Sequence, residues 1–152
     1  MLKQNKKKIL LIGYKSFIQS NLYNHLKQKY DVKKIRFENV NNEVFKDCSV
    51  VINCSNTKLF FEKSYLKKND RNLIISNLIR KKKISFILLS TRQVYLPKLN
   101  ITETSKLAPM NVYAKNCINS EKFCKEKLKK NLLVLRLSNV VGIEQGKKKK
   151  QF

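Results

Sequence analysis

Gly13 ends a short apolar run at residues 9–12 and stands before Tyr14, Lys15, Ser16, Phe17, Ile18 and Gln19, where a helical pattern begins. A glycine at such a junction lets the backbone approach an anion closely, and the N–H groups opening the following helix attract it. The chemistry this offers is pyrophosphate binding, with Gly13, Ser16, Phe17 and Ile18 as candidate contacts. Only the first of the three glycines of a dinucleotide-binding turn is present. Ser16 and Gln19 fill the other two positions, so an ordinary strand-to-helix turn accounts for the segment about equally well.

Other chemistries are harder to assemble. Cys48, Cys54, Cys117 and Cys124 form no CxxC pair and His25 is the only histidine, so no metal site is expected and reduced thiols are. The formal charge of +24 invites a polyanion as partner, yet only five of the 34 basic residues are arginine. The lysines are spread over nearly every segment and not gathered into a groove motif, which argues for a solvated surface over nucleic-acid binding. No apolar run approaches the roughly 20 residues that cross a bilayer, so the chain is read as cytoplasmic and not membrane-bound.

The elements that must position these residues alternate in type. Residues 8–12 form a continuous apolar run, expected for a buried parallel strand. Ile18, Leu22 and Leu26 recur every four residues and predict an amphipathic helix over 17–29. Residues 31–36 alternate like an edge strand, 49–54 read as a more central one, and the stretch between them has room for a loop and one helical turn. One long helix over 59–80, or two broken near Asn69 and Asp70, leads to a strand at 84–89. Asn111 caps a helix reaching about residue 129, and 132–137 is a fifth strand. The expectation is an α/β fold: a doubly wound, Rossmann-like parallel sheet of about five strands in the order 2-1-3-4-5, with ligands at the carboxyl ends of the strands. Residues 1–146 would form this domain and 147–152 a disordered basic tail.

Gly13 to Leu22; Val50-Val51-Ile52-Asn53-Cys54-Ser55; Phe86 to Tyr95; Ile101-Thr102-Glu103; Tyr113-Ala114-Lys115-Asn116-Cys117; and Leu135 to Gly142 follow one another in order. This series resembles the NAD-dependent epimerase/dehydratase family, extended short-chain dehydrogenases/reductases that act on nucleotide sugars. The resemblance implies an NAD or NADP cofactor, a nucleotide-sugar substrate and hydride transfer at a sugar carbon. It also implies cofactor contacts from Gly13, Ser16, Phe17, Ile18, Arg36, Cys54, Ser55, Tyr113 and Asn139. Tyr113 stands where the family places its acid/base tyrosine, and Thr91 where it places the hydroxyl that holds the substrate oxygen. A structural tyrosine and a strand-end hydroxyl tied to backbone are the competing readings of these two.

Two positions depart from the family. Its Tyr-x-x-x-Lys pattern puts an ammonium one helical turn from the phenol to lower its pKa, but here residue 117 is cysteine, and Lys115 points about 200° around the helix. After the second strand, where an acidic residue would bind an NAD ribose, stands Arg36, which favours NADP, with Glu38 two residues on if the register shifts. The family continues well beyond the segment ending at Gly142, whereas this sequence stops ten residues later. The expectation is therefore a frameshifted or otherwise truncated product without the substrate lobe, leaving an apolar sheet face that favours a homo-oligomer. Three readings stay open: a nucleotide-sugar enzyme domain, a non-catalytic dinucleotide-binding remnant, and a basic nucleic-acid-binding module.

Overall fold

The computed structural model describes residues 6–142. Its five strands are β1 (Lys8–Ile12), β2 (Asp31–Ile35), β3 (Val50–Asn53), β4 (Ser85–Thr91) and β5 (Leu132–Leu137), and its helices are α1 (Phe17–Leu26), α2 (Lys58–Glu62), α3 (Arg71–Ile79) and α4 (Val112–Leu128). The strands form one sheet in the order β2-β1-β3-β4-β5, every pairing parallel. This is the doubly wound order expected from the alternation of strand and helix patterns, with β2 at the edge and β3 at the centre.

The side-chain alternation of each strand divides the core in two. On one face Leu10, Ile12, Val51, Phe86 and Leu88 pack with Ile75 and Ile79 of α3, Cys124 and Leu128 of α4, and Phe45 from the β2–β3 link. On the other, Ile9, Leu11 and Ile52 meet Leu22 and Leu26 of α1, with Ile87 and Leu89 partly buried alongside. Burial of each such aliphatic side chain contributes about 1.5–3 kcal/mol. A third, smaller cluster lies beyond the carboxyl edge of the sheet, where Phe60, Val94, Tyr95 and Cys117 pack with Tyr65 and Tyr113.

Helix starts are fixed by side-chain caps. Ser16, Thr57, Asp70 and Asn111 each accept from the backbone N–H three residues on, a contact worth about 1 kcal/mol. The apolar pattern over 59–80 is two helices and not one: α2 already ends at Glu62, where Lys63 turns extended, a 3-10 turn follows at Lys67–Asn69, and Asp70 starts α3. The Asp70 backbone is extended, and its carboxylate holds the N–H of Leu73. The link between β2 and β3 contains two short 3-10 turns, at Phe37–Asn39 and Glu43–Phe45. No helix among the described residues is long and apolar enough to cross a membrane. The expected tail at 147–152, and the boundary before it, lie outside the described residues.

Candidate functional site

The turn after β1 is held from three sides. Gly13 has φ +155°, a conformation that strains any L side chain, and its N–H donates to the Ile35 carbonyl at 2.9 Å. A Cβ there would lie 3.5 Å from both the Cβ and the carbonyl oxygen of Cys54. Lys15 also has positive φ, at 47°. Ser16 occupies the second glycine position and caps α1, its Oγ accepting from Gln19 N at 3.2 Å. Gln19, in the third, is buried, and its Nε2 donates to the carbonyls of Gly13 at 2.9 Å and Leu11 at 3.3 Å. The side chains that replaced two glycines thus tie the helix to the strand end. The backbone N–H groups of Phe17 and Ile18 belong to the first turn of the ten-residue α1, where a helix offers no partner of its own and its positive end suits an anion.

Beside this turn, a cleft of about 230 Å³ runs along the carboxyl ends of β3, β4 and β5. It brings together five residues singled out in the sequence: Ile18, Cys54, Ser55, Thr91 and Tyr113. Asn53, Phe61, Ser90 and Ser138 line it as well. Gly13, Ser16, Phe17, Arg36 and Asn139 do not. Gly13, Ser16 and Phe17 lie at the adjoining turn, where the ring of Phe17 and the side chain of Asn21 would crowd a Cβ at Gly142, 3.1 and 2.8 Å away. Asn139 is exposed. Another hollow, of about 260 Å³, opens at the opposite, amino ends of β1 and β2, where Lys8 pairs with Asp47 at 3.6 Å.

Each candidate hydroxyl has a definite environment. Thr91 is buried, and its Oγ1 accepts from Gln93 N at 3.2 Å, so it caps the 3-10 turn that ends β4. Tyr113 stacks on Phe61 with ring centroids 4.9 Å apart and meets Phe60 edge-on. Burial drives its pKa well above the ordinary 10.0, and the neighbouring Cys117 adds to the rise. Burial likewise pushes the Cys117 thiol up to about 12. No cation stands where the family's lysine would lower the phenol.

Behind the cleft lie two polar networks that local sequence patterns do not reveal. Ser90 Oγ donates to Glu121 at 2.5 Å, Glu121 pairs with Arg136 at 2.6 Å, and Arg136 reaches Tyr95. This joins β4, α4 and β5, with Ser90 and Glu121 neighbouring the Cys117 thiol. In the second, Asn53 Nδ2 donates to Asn72 at 2.7 Å, Asn72 to Ser120 at 3.2 Å and Ser120 to Asp70 at 3.1 Å, with Tyr65 donating to the same carboxylate at 2.7 Å. An arginine inside the apolar run at 132–137 was the visible signal of the first. Asn72 and Ser120 on otherwise buried helix faces were the only signal of the second.

At the β2 side of the turn the register is settled by Ile12 pairing with Ile35, which places Arg36 directly after the strand. The Arg36 guanidinium lies 3.7 Å over the Tyr14 ring, and the Lys15 ammonium 5.3 Å from it. Glu38 is paired with Arg71 at 3.0 Å. The tyrosine phenol is exposed, and Lys15 first, then Arg36, lowers its pKa.

No family model and no curated protein matches the sequence. Solved structures do. The dTDP-glucose 4,6-dehydratase of Bacillus anthracis, in complex with NAD, is similar with 23% identity and TM-score 0.72 over 91% of this chain and 57% of that one. The dTDP-4-dehydrorhamnose reductase of Clostridium acetobutylicum shows 22% identity and TM-score 0.68 over 85% and 52%. The UDP-glucuronic acid 4-epimerase of Bacillus cereus, in complex with NAD, shows 20% identity and TM-score 0.69 over 91% and 58%. The chain spans about half the length of these enzymes. At this level of identity the shared property is the fold: the described residues form the same Rossmann-like α/β sheet that those enzymes carry.

Proposed function

We propose that this chain is an NAD(P)-binding domain of the kind found in nucleotide-sugar epimerases, dehydratases and reductases. The observation that carries the reading is the continuity of the anion-suited start of α1 with the cleft along β3–β5, on a sheet whose fold is similar to that of those enzymes. The first-turn N–H groups of Phe17 and Ile18, beside the positive-φ turn at Gly13, fit a pyrophosphate. Ile18, Cys54 and Ser55 would flank the dinucleotide, Tyr113 and Thr91 would face its reactive end and the sugar, and Asn139, outside the cleft lining, would reach the cofactor only from the rim. Bound there, the cofactor supplies hydride transfer. The chain's own part is to orient it, shield it with Phe61 and Tyr113, and handle a proton at the Tyr113 hydroxyl. The test is titration of the full chain with NADH and NADPH, followed by nicotinamide fluorescence. Saturable enhancement supports the reading, and its absence for both removes it.

A second reading, binding without turnover, is favoured by the surroundings of Tyr113. A phenol whose pKa is raised, with a thiol in place of the lysine, moves a proton poorly at neutral pH. Cys117→Lys tests this. The new ammonium would sit one turn from Glu121 and close to Tyr113. Ultraviolet titration, with Tyr113→Phe as reference, should show the Tyr113 phenolate forming at clearly lower pH in the lysine variant. An unchanged titration would remove Cys117 as the cause.

A further inference from the structure

Lysines that lie scattered along the sequence are gathered by the topology at one end of the sheet. In an all-parallel sheet the strands start at one edge of the molecule, and the links from the helices into them lie there too. Lys7 and Lys8 open β1, and Lys27 and Lys29 stand between α1 and β2. Arg80 and the three lysines after it lead from α3 into β4, and Lys129 and Lys130 from α4 into β5. Backbone bonds hold these starts level. The N–H of Asp31 donates to the Lys7 carbonyl at 3.2 Å, that of Ser49 to Lys8 at 2.9 Å and that of Ser85 to Ser49 at 3.0 Å, while Leu132 is in register with Phe86. Five strands about 4.8 Å apart make this a basic row about 20 Å long. Its side chains are exposed, Lys82 partly. Lys27 and Arg80 offset the negative ends of α1 and α3, but the others lie beyond the helices. Only Lys8 of the row meets a carboxylate among the described residues, Asp47 at 3.6 Å. The hollow at this end has Asp31, Glu43 and Asp47 in its lining, so it is no basic groove for a nucleic-acid strand. Arginine, the side chain that forks onto single phosphates and bases, occurs in the row once. A row of ammonium ions needs no such geometry and matches a plane of negative charge. Tyr30, 36% exposed before β2, adds an amphipathic ring suited to a headgroup layer.

We propose that this lysine-rich end of the sheet docks on anionic phospholipid headgroups and holds the chain peripherally on a membrane, with the cleft at the opposite end facing away. Lack of a long apolar helix among the described residues speaks against spanning and not against attachment of this kind. Because a net charge of +24 draws the whole molecule toward any anionic surface, the test must separate position from charge. The full chain is sedimented at physiological ionic strength with phosphatidylcholine vesicles, with and without phosphatidylserine. Binding is expected to be about tenfold or more tighter with the anionic lipid. Lys81→Glu, Lys83→Glu and Lys130→Glu together should lower that affinity by about tenfold or more. Lys98, Lys106 and Lys115 are exposed beyond the carboxyl end of β4, and the same three changes there should lower it by less than about threefold. In the unaltered chain, vesicles should shield Lys81, Lys83 and Lys130 from acetylation and leave Lys98 and Lys106 reactive, a readout that needs no variant to fold. No preference for the anionic vesicles, equal loss in the two triple variants, or shielding at Lys98 and Lys106 instead overturns the proposal. If the variant altered in the row loses its affinity for duplex DNA but keeps that for the vesicles, the row serves a nucleic acid and the proposal also falls.

Discussion

The hydroxyl of Tyr113 lies between an aromatic wall and a thiol, with Phe60 and Phe61 on one side and Cys117 a helical turn along α4. Residue 117 is almost fully buried, so the effect of its chemistry reaches beyond the phenol. The thiols of Cys117 and Cys124 are both raised by burial from 9.0 to about 12. A thiol raised in the folded state keeps its proton there after the unfolded chain has lost it. Its contribution to stability is therefore complete below about pH 9 and declines as pH rises toward 12. Each such thiol removes about 1.4 kcal/mol per pH unit across that window. Urea midpoints measured from pH 8 to 11 should fall, and Cys124→Ala should fall less steeply than the parent. Equal slopes would mean that these thiols are not the groups titrating. Gln19 makes a simpler case: its amide donates to two strand-end carbonyls, so Gln19→Ala is expected to cost about 1–2 kcal/mol in the same measurement.

At the scale of elements, α4 is fastened to the sheet by charge as well as by packing. Glu121 is 8% exposed and accepts from Ser90 and Arg136, so it bridges β4 and β5 from the helix. Removing one partner leaves the other partly buried without compensation. Glu121→Gln or Arg136→Met is expected to cost about 3 kcal/mol, and the double change Glu121→Leu with Arg136→Met considerably less than the sum. Additive losses in urea unfolding would show that the two groups act independently. This pairing also marks how far local reading of the sequence reaches. The continuous apolar runs at 8–12 and 84–89 announced parallel strands because both faces of such strands are covered, the run at 132–137 reads the same way although one face of β5 is exposed, and alternation with helical patterns placed them in one sheet. The cap at Asn111 follows from its place just before a helical pattern, holding the N–H three residues on. Glu121 with Arg136, Asn53 with Asn72, and Gln19 with the carbonyl of Leu11 depend on where the chain returns in space, and no local periodicity encodes that. The candidate site divides in the same way. Ile18, Cys54, Ser55, Thr91 and Tyr113 meet in one cleft because strand ends of a parallel sheet share an edge, and the backbone-bound hydroxyl of Thr91 matches the competing reading of that residue, whereas the capping role of Ser16 became visible only in the structure.

For the whole molecule, two opposing surface properties set the behaviour in solution. The face of the sheet that carries α1 is only partly covered among the described residues. Leu133 and Leu135 on β5 are 53% and 38% exposed, beside the half-buried Ile87 and Leu89 with which they pair in register. Such an apolar stripe favours self-association. Against it stands a net charge of +24, which holds copies apart and also strains each folded chain by self-repulsion. Salt screens both repulsions, because the Debye length falls from about 10 Å at 0.1 M to about 3 Å at 1 M. Raising sodium chloride from about 0.1 to 0.5 M should therefore stabilise the fold by about 1–2 kcal/mol, or about 3–8 °C in Tm, while increasing association seen by sedimentation. Leu133→Glu with Leu135→Glu separates the two effects. It removes the stripe without touching either buried cluster, so the salt-dependent rise in Tm should persist while association at high salt disappears. If the variant associates as strongly as the parent, the stripe on β5 is not the surface that brings copies together.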